Sequence, residues 1–204
     1  MTLTIWFSLF ALVLLGAMTP GPSLAIIAKH ALAGGRIHGL VAAWSHAIGI
    51  GVYACLSLLG LAVIFQESPV LFKVISYAGA AFLAYLGLNA FRAKGGIATK
   101  IEKAEKTSLS QAAREGFLIS ILNPKTALFF TALFSQFVAI SHQMTDKFVL
   151  VSTPLIVDGL WFSFISFVLS RGRVLEYIRS RAVLIDRLSG GVLILLALRV
   201  IVTT

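Results

Sequence analysis

Long intervals without charge constrain this chain more than any other feature. Residues 2–28, 37–66, 74–91 and 188–198 contain no Asp, Glu, Lys or Arg. Residues 116–145 contain only Lys125, and 148–170 only Asp158. A helix crosses a bilayer with about 20 mostly apolar residues. Charged residues make up 12% of the 204, against about 25% in soluble domains. The pattern predicts an all-α integral membrane protein with one domain over 1–204. Six spans are expected near 3–28, 39–65, 70–91, 113–139, 148–170 and 187–203. The last is the weakest because Arg199 lies inside it, and five spans is the alternative. The N-terminal run has no basic flank and exceeds the 7–15 residues or so of a signal peptide, so it is expected to remain as a span.

The 17 Lys and Arg residues sort by connection. Thirteen fall between spans one and two (Lys29, Arg36), three and four (Arg92, Lys94, Lys100, Lys103, Lys106, Arg114) and five and six (Arg171, Arg173, Arg179, Arg181, Arg187). Positive loops face the cytoplasm, so six spans put both termini outside. The same sorting accounts for the net charge of +9 and argues against nucleic acid as a partner. The polar stretch 93–113 reads as a cytoplasmic linker between two three-span halves, 1–92 and 114–204. Ser108 and Gln111 fit a capping box, with a helix starting just after Ser108.

Two of the spans contain helix breakers. Span one holds Thr19-Pro20-Gly21-Pro22-Ser23, and span four holds Asn123-Pro124-Lys125. Proline cannot donate to the carbonyl four residues back and clashes with it. Pro20, Pro22 and Pro124 thus free the carbonyls of Gly16, Met18 and Ser120. A backbone group left unsatisfied in hydrocarbon costs several kcal/mol, so each break must face protein, water or a ligand. Each break lies in the first span of its half. Three spans per half means that the second half is inverted. Paired interruptions in inverted halves point to a transport site. The freed carbonyls suit an ammonium, and the half-helix N-terminus after Gly21 suits an anion.

Lys125 and Asp158 are charges inside spans. At 1.5 Å per residue Lys125 lies about 14 Å beyond Gly116 and Asp158 about 15 Å beyond Phe148, half of a ~30 Å core. A charge there costs about 2.5–3.5 kcal/mol. Two roles are open and can coexist. One is a Lys125–Asp158 ion pair that locks the halves together. The other is a titrating site in a wet cavity, with Asp158 as proton carrier. His46, inside span two, reads as a packed histidine or an accessory to that site. His30 and His38 are placed in a connection and His142 in an outer loop. Gly49, Gly51, Gly60, Gly79, Gly87, Gly190 and Gly191 read as helix-packing positions. There is no G-x-x-x-x-G-K-[ST], H-E-x-x-H or G-x-S-x-G sequence, and Cys55 is the single cysteine. The chain is therefore expected to be neither an ATPase nor another enzyme, with no metal site and no cofactor.

The stretches "MTPGPSLAIIAKHALAGGRIHGL", "YAGAAFLAYLGLNAFRA", "EGFLISILNPKTALFFTALFSQFV", "VDGLWF" and "LIDRLSGGVLILLALRV" together resemble the lysine-exporter (LysE/RhtB) family of amino-acid efflux permeases. The resemblance covers about residues 3–200. It implies a bacterial inner-membrane protein of six spans in two inverted halves. It also implies export of an amino acid or derivative against proton influx. Carried over by position, Pro20, Gly21 and Pro22 match its first motif, Asn123, Pro124 and Lys125 its second, and Asp158 the acidic residue of span five; together with Ser23, which opens the new half-helix, the two motifs are expected to bind substrate and Asp158 to carry the coupling proton. The expected partners are an amino-acid-like substrate, protons and the bilayer, and a homo-oligomer is compatible with the sequence. Two residues depart from the family pattern. Trp44 replaces a small residue, which is expected to alter the cavity. Ser135 replaces a proline, which is expected to straighten a helix. The alternatives are a metal-cation exporter of related fold and a non-transporting membrane scaffold.

Overall fold

In the computed structural model of the protein, residues 1–19, 21–92, 107–138, 143–169 and 173–203 are described. Pro20, linker residues 93–106, His142 and Arg171 lie outside the described residues. Among the described residues there are eight α-helices and no strand.

The proline signals divide two of the expected spans. α1 (Leu3–Met18) starts at Thr2, whose hydroxyl accepts the Ile5 N–H at 3.4 Å, and stops at Thr19 in extended conformation. α2 (Pro22–Gly34) begins with Pro22 at its first position, where the missing N–H is not needed. The two helices meet at 64°. α5 (Leu109–Leu122) and α6 (Pro124–Ser135) repeat the arrangement with a bend of 54° at Asn123. Ser108 caps α5 by accepting the Gln111 N–H at 3.1 Å. The Gln111 side chain does not close a capping box and instead donates to Glu115 at 3.0 Å. The last part of the expected linker, from Leu109, is thus the first turn of α5.

α3 (Arg36–Glu67), α4 (Pro69–Arg92) and α7 (Met144–Leu169) are each long and apolar enough to span a bilayer. Each bent pair passes the same test as one unit, which allows up to five spans. α8 (Arg173–Thr203) is continuous, but its apolar stretch is only Gly190–Val202. Side chains such as Leu56, Val63, Val70, Leu160, Phe164 and Leu195 are more than half exposed. An apolar exterior of this kind is what lipid tails solvate.

Several expectations from charge spacing change here. The first span was cut at Lys29, but α2 carries on to Gly34 and holds both Lys29 and His30. Only Gly35 separates α2 from α3, at φ 79°, a conformation that favours glycine. His38 lies on α3, not in a loop. α6 ends at Ser135, so the serine does not straighten a longer helix.

α4 packs along α8, and α3 packs against α5 and α7. A Cβ on Gly87 would stand 2.7 Å from the Gly190 carbonyl oxygen, and the reverse also holds. Backbone approach of this kind needs residues without side chains. Gly49, Gly51 and Gly79 face similarly close neighbours, whereas Gly60 has none and Gly191 only a loose one. Two apolar clusters result. The larger joins α1, α3, α4, α6, α7 and α8, and the smaller joins α2, α3, α5 and α7.

Candidate functional site

Asn123 precedes a proline, and that position disfavours helix and favours an extended backbone. Its φ and ψ are −78° and 111°, so it closes α5 and opens α6. Its side-chain oxygen accepts the Lys125 N–H at 3.0 Å, and its amide donates to Ser23 Oγ at 3.3 Å. One residue thereby caps its own break and touches the other. Lys125 lies on the first turn of α6 and donates from Nζ to the Thr19 carbonyl at 2.9 Å. That carbonyl is at the C-terminal end of α1, where the helix dipole favours a cation. The Thr19 hydroxyl turns back to the Leu15 carbonyl at 2.8 Å. The Thr19 N–H is shared between Leu15 and Gly16, so the Gly16 carbonyl expected to be free has a donor. Gly21, the N-cap of α2, supplies no side-chain cap.

Asp158 and His46 complete the polar set. They are 5% and 2% exposed, and Asp158 Oδ2 is 2.7 Å from His46 Nδ1. Phe162, one turn beyond Asp158, meets the imidazole edge-to-face at 5.1 Å between centroids. The Lys125–Asp158 ion pair, one of the two roles left open by the sequence, is not formed. Lys125 bonds the backbone of the first break, and the carboxylate pairs with the histidine. Reach explains the exchange of partners, because Lys125 stands where two half-helix ends meet while α3 carries His46 against α7.

These groups line one cavity of about 60 Å³ where the two apolar clusters meet. Gly21, Ser23, Asn123, Lys125, Asp158 and His46 are on its wall, with Thr19 beside them. Pro22 and Pro124 begin their half-helices and do not face it, and Pro20 is outside the described residues. The remaining wall is mostly apolar, including Val13, Ile50, Phe129 and Phe130. Such a volume has room for a few waters and is below the several hundred Å³ of ligand pockets. Among the described residues no three His, Cys, Asp or Glu side chains gather into a metal-sized group.

The structure adds residues that the sequence reading did not single out. Pro154 lies inside α7 one turn before Asp158 and lines the same cavity. A proline four residues from a buried acid was the available signal. Trp44 is not on the cavity wall, so its expected effect there is indirect. Its ring lies where a Cβ on Gly159 would come within 2.9 Å, next to Asp158. At the basic end, Glu115 accepts from Lys29 at 2.8 Å and from Gln111 at 3.0 Å, and pairs with His30 at 3.0 Å. The other His30 ring nitrogen is 3.1 Å from the Thr107 hydroxyl. This cluster joins α2 to α5 and was invisible while Lys29 and His30 were assigned to a loop.

The chain is similar in sequence to known membrane and efflux proteins. The chain is 30% identical over 178 residues to the uncharacterized membrane protein YrhP of Bacillus subtilis, covering 79% of this chain and 83% of that one. It is 30% identical over 168 residues to the leucine efflux protein of Salmonella typhimurium, covering 80% and 77%. The leucine efflux protein of Salmonella typhi matches to the same extent. No solved structure matches the chain. A family model described as LysE type translocator matches residues 14–204, which takes in both helix breaks, the His46–Asp158 pair and the α4–α8 contact. This multi-pass helical membrane protein therefore belongs to the LysE type translocator family.

Proposed function

We propose that the protein exports an amino acid or a close derivative across the bacterial inner membrane, as a secondary transporter driven by proton influx. The observation that carries this reading is the meeting of both helix breaks with a buried acid–histidine pair on one cavity wall. Leucine efflux proteins among the relatives support an amino-acid cargo. In this reading α8 supplies a sixth span from Gly190–Val202, with Arg199 snorkelling to the interface. The halves are inverted, the basic connections face the cytoplasm and both termini lie outside.

The chemistry follows from a zwitterion's two ends. Lys125 is the cation on the wall that can hold a carboxylate. When it turns from Thr19, that carbonyl needs a new donor, and the substrate's ammonium supplies one. Gly21, Ser23 and Asn123 shape the polar end, with Pro20, Pro22 and Pro124 holding the breaks open. Val13, Ile50, Phe129 and Phe130 offer an apolar side chain a dry surface. The coupling proton resides on Asp158 and its partner His46.

Proteoliposomes carrying Asp158→Asn test the reading. Gradient-driven export of labelled amino acids is expected to disappear, while exchange of internal for external substrate persists. Proton-driven export at the wild-type rate in that variant removes Asp158 from the mechanism.

A further inference from the structure

One atom on the cavity wall has no assigned work in the exporter reading, on which this inference rests. His46 Nδ1 is tied to Asp158, and among the described residues its Nε2 is buried with no hydrogen-bond partner. When Asp158 is ionised its carboxylate accepts and does not donate, and Nδ1 then carries the ring hydrogen. The neutral imidazole then presents a bare lone pair at Nε2. A buried acceptor without a donor is costly, and this one sits on a ring that lines the cavity. The charged groups on that wall are Asp158 from α7 and Lys125 from α6. α2 adds the Ser23 hydroxyl, and α1 adds only apolar side chains. α4 and α5 also pack on α3 and contribute no ionisable side chain to the wall among the described residues.

We propose that the Nε2 lone pair of His46 is the atom at which the coupling proton and the substrate's ammonium exclude each other, so that antiport is competition for one acceptor. An ammonium has three N–H donors, enough for Nε2 and the Thr19 carbonyl together. With the cavity open to the outside, a proton from water bonds to Nε2. The ammonium loses its acceptor there and the substrate leaves. Asp158 balances the resulting imidazolium. With the cavity open to the cytoplasm, the Nε2 proton returns to water and the lone pair accepts an N–H of the next substrate. Either occupant places one positive charge beside Asp158, and one proton enters for each amino acid exported. Asp158 is thus the positioning and charge-balancing partner, and His46 is the group that meets the cargo.

The test uses the full-length protein in proteoliposomes. A mixture of the labelled protein amino acids and their close derivatives identifies the one transported, which then serves as the probe. The wild-type KM for exchange is expected to rise as pH falls, by up to about tenfold per pH unit, with Vmax unchanged. His46→Gln places an amide oxygen near the Nε2 position, where it accepts an N–H but takes no proton. Its KM should be flat with pH and its gradient-driven accumulation lost. His46→Asn reaches only the Nδ1 position, so it keeps a partner for Asp158 but not the cavity acceptor. Its KM should be at least about tenfold higher at every pH. A His46→Gln protein that keeps wild-type accumulation and a pH-dependent KM overturns the inference and leaves the proton on Asp158 alone. A wild-type KM that does not move with pH also overturns it, as does a His46→Asn protein with wild-type KM. The wild-type and His46→Asn measurements decide the matter even if His46→Gln does not fold. A wild type that transports no member of the mixture overturns the exporter reading itself.

Discussion

The two helix breaks look alike in sequence and are held in different ways. The second is self-sufficient, because Asn123 ends α5, starts α6 and accepts the Lys125 N–H with its own side chain. The first depends on the second. Gly21 has no side chain to cap α2, and the Thr19 hydroxyl is turned back into α1. Its carbonyl is held by Lys125 and its Ser23 by Asn123, both from the other half of the chain. One break is therefore a fixed fitting and the other an exchangeable one. In the proposed exporter reading, a ligand exchanges with the groups of the first and leaves the second intact.

Substitutions at the fitting should have the largest effects. Lys125→Met removes the donor to Thr19 and the cation of the cavity together. Export should fall below detection, and the orphaned carbonyl should cost about 1–3 kcal/mol of stability. Export at more than a tenth of the wild-type rate would mean that the breaks do not share this lysine. Asn123→Ala removes the cap of α6 and the contact with Ser23. A loss of about 1 kcal/mol is expected, read as an earlier thermal transition in detergent, with slowed but measurable export. An unchanged transition would show that the second break does not need its side chain. The smallest effect belongs to Gly21→Ala. Its φ of −168° is an extended conformation that any residue adopts, and the new Cβ would lie 3.4 Å from Lys125 Nζ. The fold should be unharmed, with KM raised about two- to threefold by the desolvated ammonium. A collapse in stability would mean that the first break is as rigid as the second.

The breaks were legible in the sequence because proline acts on its own backbone, within four residues. The buried charges were legible because their cost in lipid is high. Which groups pair was not legible. His46 and Asp158 are 112 residues apart, and their meeting depends on the rotation of two helices that spacing alone does not fix. The same gap gave Asp158 the wrong alternative partner in Lys125. Charge-free intervals also misplaced one boundary. They ended the first span at Lys29, whereas Glu115 from the other half satisfies that ammonium and lets α2 continue to Gly34. Pro154 follows Thr153 as Pro20 follows Thr19, but α7 runs through it unbroken, so its place on the cavity wall was not legible from the residue type alone. Gly60 was read as a packing position, but a glycine identifies a close approach only when a neighbour is known to be there.

The bond from Lys125 to Thr19 spans 106 residues of chain. During synthesis α1 and α2 therefore leave the ribosome well before the lysine that completes them exists. In that interval the open carbonyl must be met by water or by the insertion machinery. The first half is a folding debtor to the second, and a truncated chain ending before α6 would present that exposed end to cellular quality control.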